Sequence, residues 1–308
     1  MHTILITTSS FGNNAPHLFK TLRENGFKVV VNPFGRKLKK EELKELLNQH
    51  RPVGLLAGTE PITQSILKFA KEYLKVISRV GVGWDNVDRD AAQKLDIQVY
   101  RTEGVLNKAV AELTLGMILS ALRAILLQDR KIRDGKWEKG MGSLLQGKVV
   151  GVIGFGSIGQ CVGKLISAFD ATVLYCDPVS TNVSWAKPVS MHDLLAQSDI
   201  VTIHADAQHQ ILGEEELNYL CKPGVIIVNT SRGGLVNEKT LYEALISGHV
   251  SFACLDVFDQ EPYSGPLTQL ENVILTPHIG SYAKEARIRM EEMAVENLLH
   301  GLAELVKR

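Results

Sequence analysis

Three side chains of this sequence could together bind and protonate a small carboxylic acid: Arg232, Glu261 and His278. A guanidinium can hold a planar carboxylate through two parallel hydrogen bonds, and histidine is a frequent general acid and base. Taken singly, Arg232 could be a surface arginine, Glu261 a solvated loop carboxylate and His278 a structural histidine. Each of the three, however, follows a predicted strand, and the carboxyl ends of parallel strands meet at one edge of a sheet. Their shared placement therefore predicts a reaction site at that edge.

A glycine-rich turn lies between a predicted strand that ends near residue 153 and a helical pattern. It reads Gly154-Phe155-Gly156-Ser157-Ile158-Gly159. In such a GxGxxG the first glycine makes a tight turn, the second lets backbone approach a pyrophosphate, and the third lets helix pack on strand. The helix N-terminus offers unpaired N–H groups to the phosphates. The context predicts a dinucleotide cradle, with a purely structural glycine turn as the alternative.

Asp177 ends the next predicted strand. A carboxylate there can accept hydrogen bonds from the adenosine ribose hydroxyls and would repel a 2′-phosphate. The residues that follow, Pro178-Val179-Ser180, contribute no arginine, so NAD is favoured over NADP. His204 ends a later strand on the same edge and could line the cofactor site. The other histidines outside the proposed site look like surface or packing residues.

The elements that must position these groups are two series of short apolar runs alternating with amphipathic segments. The predicted strands are 4–9, 27–31, 53–57, 75–80 and 97–100, then 149–154, 172–176, 200–204, 225–229, 252–257 and 272–276. Nearly continuous apolar runs indicate strands buried on both faces, and their alternation with helices predicts parallel α/β sheets. One long helix is predicted over 107–128, apolar on most faces and therefore expected at an interface, and another from Tyr282 to Leu305.

Composition excludes several classes of protein. A length of 308 residues suggests about two domains. The formal net charge of zero removes the overall attraction typical of nucleic-acid and anionic-membrane binders. No apolar run approaches the ~18 residues that span a bilayer, and no signal peptide is indicated. The four cysteines form no CxxC pair, which predicts buried free thiols, no metal site and a cytoplasmic protein.

Six stretches resemble the D-isomer-specific 2-hydroxyacid dehydrogenases, in family order and over essentially the whole chain. They are RVGVGWDNVD (79–88), VAELTLGMIL (110–119), VIGFGSIG (152–159), NTSRGG (229–234), LDVFDQEP (255–262) and TPHIGS (276–281). The segment before the glycine turn, and a chain that ends close to the last predicted helix, are most similar to short members of the 3-phosphoglycerate dehydrogenase type.

The resemblance implies two doubly wound parallel-sheet α/β domains with a cleft between them. A flavodoxin-like substrate domain would be formed by 1–101 and 282–308. An NAD-binding Rossmann domain, 102–281, would be inserted in it. The chain would form a homodimer through the cofactor domains, in keeping with the apolar helix at 107–128.

The resemblance also implies roles for individual residues in a reversible hydride transfer between NAD and a small D-2-hydroxy acid. Arg232 would bind the substrate carboxylate and carbonyl oxygen, His278 would be the general acid and base, and Glu261 would orient its imidazole. Arg79 and the backbone around Val82 and Gly83 would also hold the substrate. Cofactor contacts would come from Gly154, Gly156, Ser157, Ile158, Gly159, Asp177, His204, Thr230, Asp256 and Gly280, with Asp256 on the nicotinamide carboxamide.

Two departures from the family pattern bear on the substrate and the cofactor loop. The chain has Ala57-Gly58-Thr59-Glu60 where phosphoglycerate dehydrogenases often carry an Arg-Ser pair, and Asp206 replaces the usual proline after His204. Hydroxypyruvate, glyoxylate, phosphohydroxypyruvate and longer 2-keto acids therefore all stay open. A different class of function, an NAD-sensing binding module similar to corepressors, is the alternative. Phosphite oxidation is disfavoured because Val82 stands where those enzymes carry a lysine.

Overall fold

The computed structural model describes residues 1–179, 181–207 and 209–306. Ser180 and Gln208, which belong to the segments expected beside the cofactor, lie outside the described residues. The chain forms two compact units, unit 1 (Met1–Leu106 with Tyr282–Arg308) and unit 2 (Asn107–Ser281). The first boundary lies at 106 instead of the predicted 101, since the segment after β5 stays with unit 1, where Thr102 N donates to Gly81 O over 3.1 Å.

Unit 1 is a five-stranded parallel sheet with helices around it. Its strands are β1 (Thr3–Ile6), β2 (Lys28–Val31), β3 (Gly54–Ala57), β4 (Val76–Arg79) and β5 (Gln98–Arg101), in the order β2-β1-β3-β4-β5. Its helices are α1 (His17–Glu24), α2 (Lys40–His50), α3 (Gln64–Ala70), α4 (Arg89–Lys94) and α10 (Lys284–Val306). This strand order is the flavodoxin-like one. Every residue of β3 and β4 is buried, as their apolar runs predict.

Helix α10 brings the end of the chain back to the sheet of unit 1, where it packs on β3, β4 and β5. Gly54 leaves room for it: a Cβ there would lie 2.9 Å from Leu298 Cδ1. Asn297 Nδ2 donates to Arg101 O over 3.1 Å, and Glu291 accepts from Gly12 N over 2.8 Å. The core of unit 1 is therefore completed by its last helix.

Unit 2 is a seven-stranded parallel sheet in the order β12-β11-β10-β9-β6-β7-β8. Its strands are β6 (Val149–Ile153), β7 (Thr172–Cys176), β8 (Lys187–Pro188), β9 (Ile200–Ile203), β10 (Val225–Asn229), β11 (Val250–Leu255) and β12 (Val273–Leu275). Its helices are α5 (Asn107–Leu122), α6 (Ile125–Arg133), α7 (Ser157–Ser167), α8 (Met191–Gln197) and α9 (Glu238–Ser247), with a π-helical turn at Glu216–Leu220 and a 3₁₀ turn at Pro266–Gln269. The order corresponds to the Rossmann arrangement with one added edge strand, so the predicted fold class is confirmed.

The prediction of one helix over 107–128 is wrong. The chain turns at Ala124, where φ is 48°, and α5 and α6 meet at a bend of 62°. Residues of α5 such as Met117 and Ile118 pack into the core of unit 2, which accounts for its apolar faces, whereas α6 buries none of its residues. In the described part of the chain no single helix is long and apolar enough to cross a membrane; only this bent pair, taken together, matches by length and composition.

All four cysteines are free thiols. Cys221 and Cys254 are buried as predicted, but Cys161 and Cys176 are only partly buried. Burial raises the pKa of Cys221 to about 12. Among the described residues, no group of three or more His, Cys, Asp or Glu side chains is placed to hold a metal ion.

Candidate active site

His278 and Glu261 form a hydrogen-bonded pair in unit 2, in the loops that follow β12 and β11. Glu261 Oε2 and Oε1 lie 2.9 and 3.1 Å from His278 Nδ1. The backbone N–H of Phe258 donates to Glu261 Oε1 over 3.2 Å and so fixes the carboxylate. Nε2 of His278 makes no hydrogen bond to any residue in the described ranges, and the side chain is 52% exposed. The imidazole is thus held at one nitrogen while the other is available to a ligand.

The loop that carries His278 is held by Asp256. Oδ1 of this carboxylate accepts from the Thr276 hydroxyl over 2.5 Å and from Ile279 N over 2.8 Å, while Oδ2 accepts from Gly280 N over 2.8 Å. Asp256 is only 1% exposed. His278 itself has a left-handed backbone, with φ at 54°, a conformation that costs free energy and persists where surrounding bonds fix it. Asp256 supplies those bonds, which the sequence did not reveal.

The loop after β10 carries Arg232. Asn229 stabilises this loop through its side chain. Its Nδ2 donates to Arg232 O over 2.8 Å, and its Oδ1 accepts from Ser231 N and Oγ over 3.1 and 2.9 Å. Arg232 Nη1 donates to Ser231 O over 2.9 Å. Thr230 is buried, with its hydroxyl 2.9 Å from that of Thr114. Asn229 therefore stabilises the turn that carries Arg232, and the guanidinium bonds back to the same turn.

Two contacts tie the Arg232 loop to the Glu261 loop. Gly234 N donates to Asp259 Oδ1 over 2.7 Å, and a Cβ on Gly233 would lie 1.9 Å from Phe258 O. Sequence reasoning missed Asp259, whose acidic side chain within LDVFDQEP resembles any loop carboxylate. Because β10 and β11 are neighbours in the sheet, the structure brings Arg232, Glu261 and His278 onto adjoining loops of one unit.

The glycine turn between β6 and α7 has the form that the sequence predicts. Gly154 has φ at 84°, and a Cβ there would lie 2.5 Å from Ala205 N. A Cβ on Gly159 would lie 2.1 Å from Gly154 O. A Cβ on Gly156 would meet no atom within 4 Å, so this glycine borders open space at the first turn of α7. The bare backbone and free helix N-terminus, through Ser157 and Ile158, fit a pyrophosphate.

Asp177 lies beside this turn. Its Oδ2 accepts from Phe155 N over 2.6 Å and its Oδ1 from Val179 N over 2.7 Å. An ionised carboxylate has about four acceptor positions, of which the described residues use two. The carboxylate therefore stabilises the turn and keeps acceptor positions beside it; its contact with the cofactor stays a prediction.

His204 lies beside the same turn, and its side chain is neutral. Its Nε2 lies 2.8 Å from the hydroxyl of the buried Thr202. Its Nδ1 is buried and has no hydrogen-bond partner among the described residues. Burial lowers the pKa of His204 to about 3, so the ring carries no charge near neutral pH. A Cβ on Gly154 would lie 2.7 Å from the carbonyl carbon of His204, so His204 adjoins the glycine turn. That it borders the cofactor stays a prediction.

The predicted substrate residues Arg79, Val82 and Gly83 lie in unit 1, at the end of β4 and in the loop after it. Arg79 is 9% exposed, and its Nη1 donates to Val80 O. A Cβ on Gly81 would lie 2.6 Å from that same nitrogen. The guanidinium thus packs against the backbone at the start of the loop.

Comparison with known proteins identifies the family. Residues 115–280 match the family described as D-isomer specific 2-hydroxyacid dehydrogenase, NAD binding domain. The chain is 35% identical to a glyoxylate reductase of Thermococcus litoralis, covering 92% of this chain and 93% of the relative. It is 36% identical to a hydroxypyruvate reductase of Thermotoga maritima, covering 86% and 89%.

A solved structure, that of TT0316 protein from Thermus thermophilus, has a TM-score of 0.91 to this fold. It is 37% identical and covers 98% of this chain and 97% of the other. These similarities extend over both units and confirm the resemblance that the motifs indicated. The chain belongs to the D-isomer-specific 2-hydroxyacid dehydrogenases and is an NAD-dependent oxidoreductase of that family.

Proposed function

We propose that this dehydrogenase interconverts a small 2-keto acid and its D-2-hydroxy acid, with His278 as general acid and base. The observation that supports this most directly is the His278–Glu261 pair, in which Nδ1 is engaged at 2.9 Å and Nε2 has no partner in the described ranges. A histidine oriented in this way can transfer a proton at Nε2 while its Nδ1 keeps the hydrogen bond to the carboxylate. The non-catalytic NAD-sensing alternative gives such a pair no role.

Each residue then has a defined part in the reduction. NAD(H), when bound, supplies the hydride. His278 donates a proton from Nε2 to the keto oxygen, and Glu261 holds the ring through Nδ1. Arg232 anchors the carboxylate with its planar guanidinium and polarises the keto oxygen. Oxidation reverses these steps.

We assign further substrate contacts to unit 1 and the cofactor contacts to the residues named above for the cofactor. Arg79 and the backbone N–H groups of Val82 and Gly83 bind the substrate carboxylate. Backbone from Gly154 to Gly159 binds the pyrophosphate, and Asp177 binds the ribose hydroxyls and disfavours NADP. Thr230, His204, Gly280 and Asp256 complete the cofactor site. Among the described residues, Oδ2 of Asp256 accepts one hydrogen bond, from Gly280 N, so it retains an acceptor position for the carboxamide.

Glyoxylate and hydroxypyruvate are the leading substrates, because relatives that match most of this chain are reductases named for them. The test is the loss of NADH absorbance with a panel of 2-keto acids, repeated with NADPH. We expect turnover with at least one of the two acids and a preference for NADH. Binding of NADH without turnover of any acid would instead favour the binding module.

We also propose a homodimer formed through unit 2, with α6 and the segment after it at the interface. These carry six exposed apolar side chains: Ile125, Leu126, Ile132, Trp137, Met141 and Leu144. Clustered exposed apolar residues are typical of association surfaces. Light scattering should give twice the chain mass, and Ile132→Lys should shift it towards the monomer. A wild-type monomer at micromolar concentration would contradict the proposal.

A further inference from the structure

Phe155, the residue between the first two glycines of the glycine turn, is the central ring of a three-ring stack in unit 2. Its ring lies nearly parallel to that of Tyr175, with the centroids 3.9 Å apart and an angle of 13° between the planes. The ring of Trp185 packs on Phe155 with the centroids 5.6 Å apart. Aromatic pairs at such distances are stabilising beyond the area that they bury. The stack therefore joins the glycine turn to β7 and to the segment that follows β7.

The segment between β7 and β8, described at 177–179 and 181–186, depends on side chains for its position. Its described residues belong to no helix or strand and make no backbone–backbone hydrogen bond among themselves or to the rest of the described chain. The Tyr175 hydroxyl donates to Thr181 O. A Cβ on Gly163 would lie 2.9 Å from Trp185 Cζ3, so the glycine lets the indole lie against α7. Tyr175 and Trp185 therefore hold the segment against the rest of unit 2.

Asp177 begins this segment and is bonded to the same phenylalanine. Its Oδ2 accepts from Phe155 N over 2.6 Å, and its Oδ1 accepts from Val179 N over 2.7 Å. Phe155 thus contacts Asp177 through its backbone, and through its ring it contacts Tyr175, two residues before Asp177. If the segment left the glycine turn, the carboxylate of Asp177 would lose the position that these contacts give it.

We propose that Trp185 is a positioning residue for the adenosine half of NAD. The indole holds the segment after β7 on the glycine turn and so keeps Asp177 in place to accept from the ribose. This inference rests on the ribose contact of Asp177 in the proposed function and adds the side chain that keeps that contact available.

The effect of Trp185 falls on cofactor affinity and not on the proton transfer. When only a fraction of a protein has the binding-competent conformation, the apparent Kd rises by the inverse of that fraction. The hydrogen bonds between Glu261 and His278, and the one from Phe258 N to Glu261, involve no residue of the stack. Loss of the indole should therefore weaken binding of NAD(H) and leave the reacting groups as they are.

The test measures the Kd of NADH and of ADP-ribose for the full chain by isothermal titration calorimetry. ADP-ribose has the adenosine and the pyrophosphate of the cofactor but no nicotinamide, so it reports on the adenosine half. Trp185→Ala should raise both Kd values by the same factor, about tenfold, which is the upper range for the loss of one aromatic pair. Trp185→Phe keeps a ring against Phe155 and should restore most of the affinity. Tyr219→Ala removes an aromatic side chain of the same unit that is 75% exposed and should change neither Kd.

Tyr175→Phe is a second variant, which removes only the hydroxyl that donates to Thr181 O. It keeps the stack and replaces Trp185→Ala if that variant does not fold. Loss of one hydrogen bond should raise both Kd values about fivefold, with Tyr219→Phe as the matched control. In both variants kcat at saturating NADH should equal that of the wild type, while KM for NADH rises with the Kd.

Because the indole acts through Asp177, the double variant Trp185→Ala/Asp177→Ala should bind NADH no more weakly than Asp177→Ala alone. Multiplying effects in the double variant would overturn this route. Unchanged Kd values with a lower free energy of unfolding would make Trp185 a packing residue only, and a rise for NADH without one for ADP-ribose would place its effect at the nicotinamide. Either result would overturn the proposal. The binding measurements need no keto acid, so absence of turnover with every acid would contradict the proposed function alone.

Discussion

Asp256 and Gly280 are joined by a hydrogen bond of 2.8 Å from the glycine N–H to Oδ2, which fastens the loop after β12 to the end of β11. His278 lies two residues before Gly280. Asp256 therefore positions the proposed catalytic histidine through the backbone of its loop.

Changing Asp256→Asn should weaken both the fold and the reaction. One of the two oxygens becomes an NH₂ group that faces a backbone donor, and a buried donor left without an acceptor costs about 1–3 kcal/mol. We expect the free energy of unfolding to fall by that amount in urea titrations, together with a lower kcat. Asp193→Asn, at an exposed acid of the same unit, is the control. Wild-type stability and kcat in Asp256→Asn would show that the loop does not depend on this carboxylate.

Changing His278→Ala should lower kcat by about 10²–10⁴-fold, because general acid and base catalysis contributes that much. The measurement is steady-state NADH oxidation with the best 2-keto acid of the panel. His192→Ala removes an exposed histidine of unit 2 and should leave kcat as it is. If His278→Ala turned over at a near-normal rate, the proton would have to come from another group.

Changing Glu261→Gln should lower kcat by about tenfold, less than the loss of His278, since the histidine keeps its proton-transferring nitrogen but loses a charged partner. Because Glu261 acts through His278, the double variant Glu261→Gln/His278→Ala should be no slower than His278→Ala alone. Multiplying effects in the double variant would give Glu261 an independent role.

Changing Asp177→Ala should narrow the preference for NADH over NADPH. The substitution removes the acceptor for the ribose hydroxyls and the charge that repels a 2′-phosphate, so the ratio of kcat/KM values should fall about tenfold or more. Because Asp177 also accepts from Phe155 N and Val179 N, some loss of stability should accompany the change. An unaltered cofactor ratio would mean that the ribose is recognised by other residues.

Acid should destabilise unit 2 through His204. Burial holds the pKa of His204 at about 3 in the folded protein, against about 6.5 in an unfolded chain. Below pH 6.5 the unfolded state therefore binds a proton that the folded state rejects, and stability falls by about 1.4 kcal/mol per pH unit down to about pH 3. His204→Phe should lose about 2 kcal/mol less than wild type between pH 6.5 and 5 in urea unfolding. Parallel losses in both proteins would mean that His204 is protonated in the folded state.

Much of the fold could be predicted because the strands are buried on both faces. β7 and β10 occupy the predicted ranges without a shift, while β11 begins and ends two residues before its prediction. The break at Ala124 could not be predicted, because neither glycine nor proline marks it and both flanking segments are helical in pattern. The short β8 lies on the sheet edge, where only two residues pair and no periodic pattern develops.

The candidate site likewise has one part that the sequence predicts and another that it does not. Parallel topology alone puts Arg232, Glu261 and His278 on adjoining loops, since each follows one of three neighbouring strands. What the sequence could not show is how loops bond to one another. The hydrogen bonds of Asp256 and the link from Asp259 to Gly234 depend on side-chain direction within irregular segments, where the sequence has no periodic pattern that would indicate it.

The route of the chain has a consequence for its synthesis. Residues up to 106 leave the ribosome first, yet the sheet they form lacks the helix that covers β3, β4 and β5 until α10 has been made. All of unit 2 is translated in between. One apolar face of the first segment therefore stays uncovered until α10 has been synthesised. Unit 2, by contrast, has all of its own strands by residue 275 and can fold before unit 1 is complete.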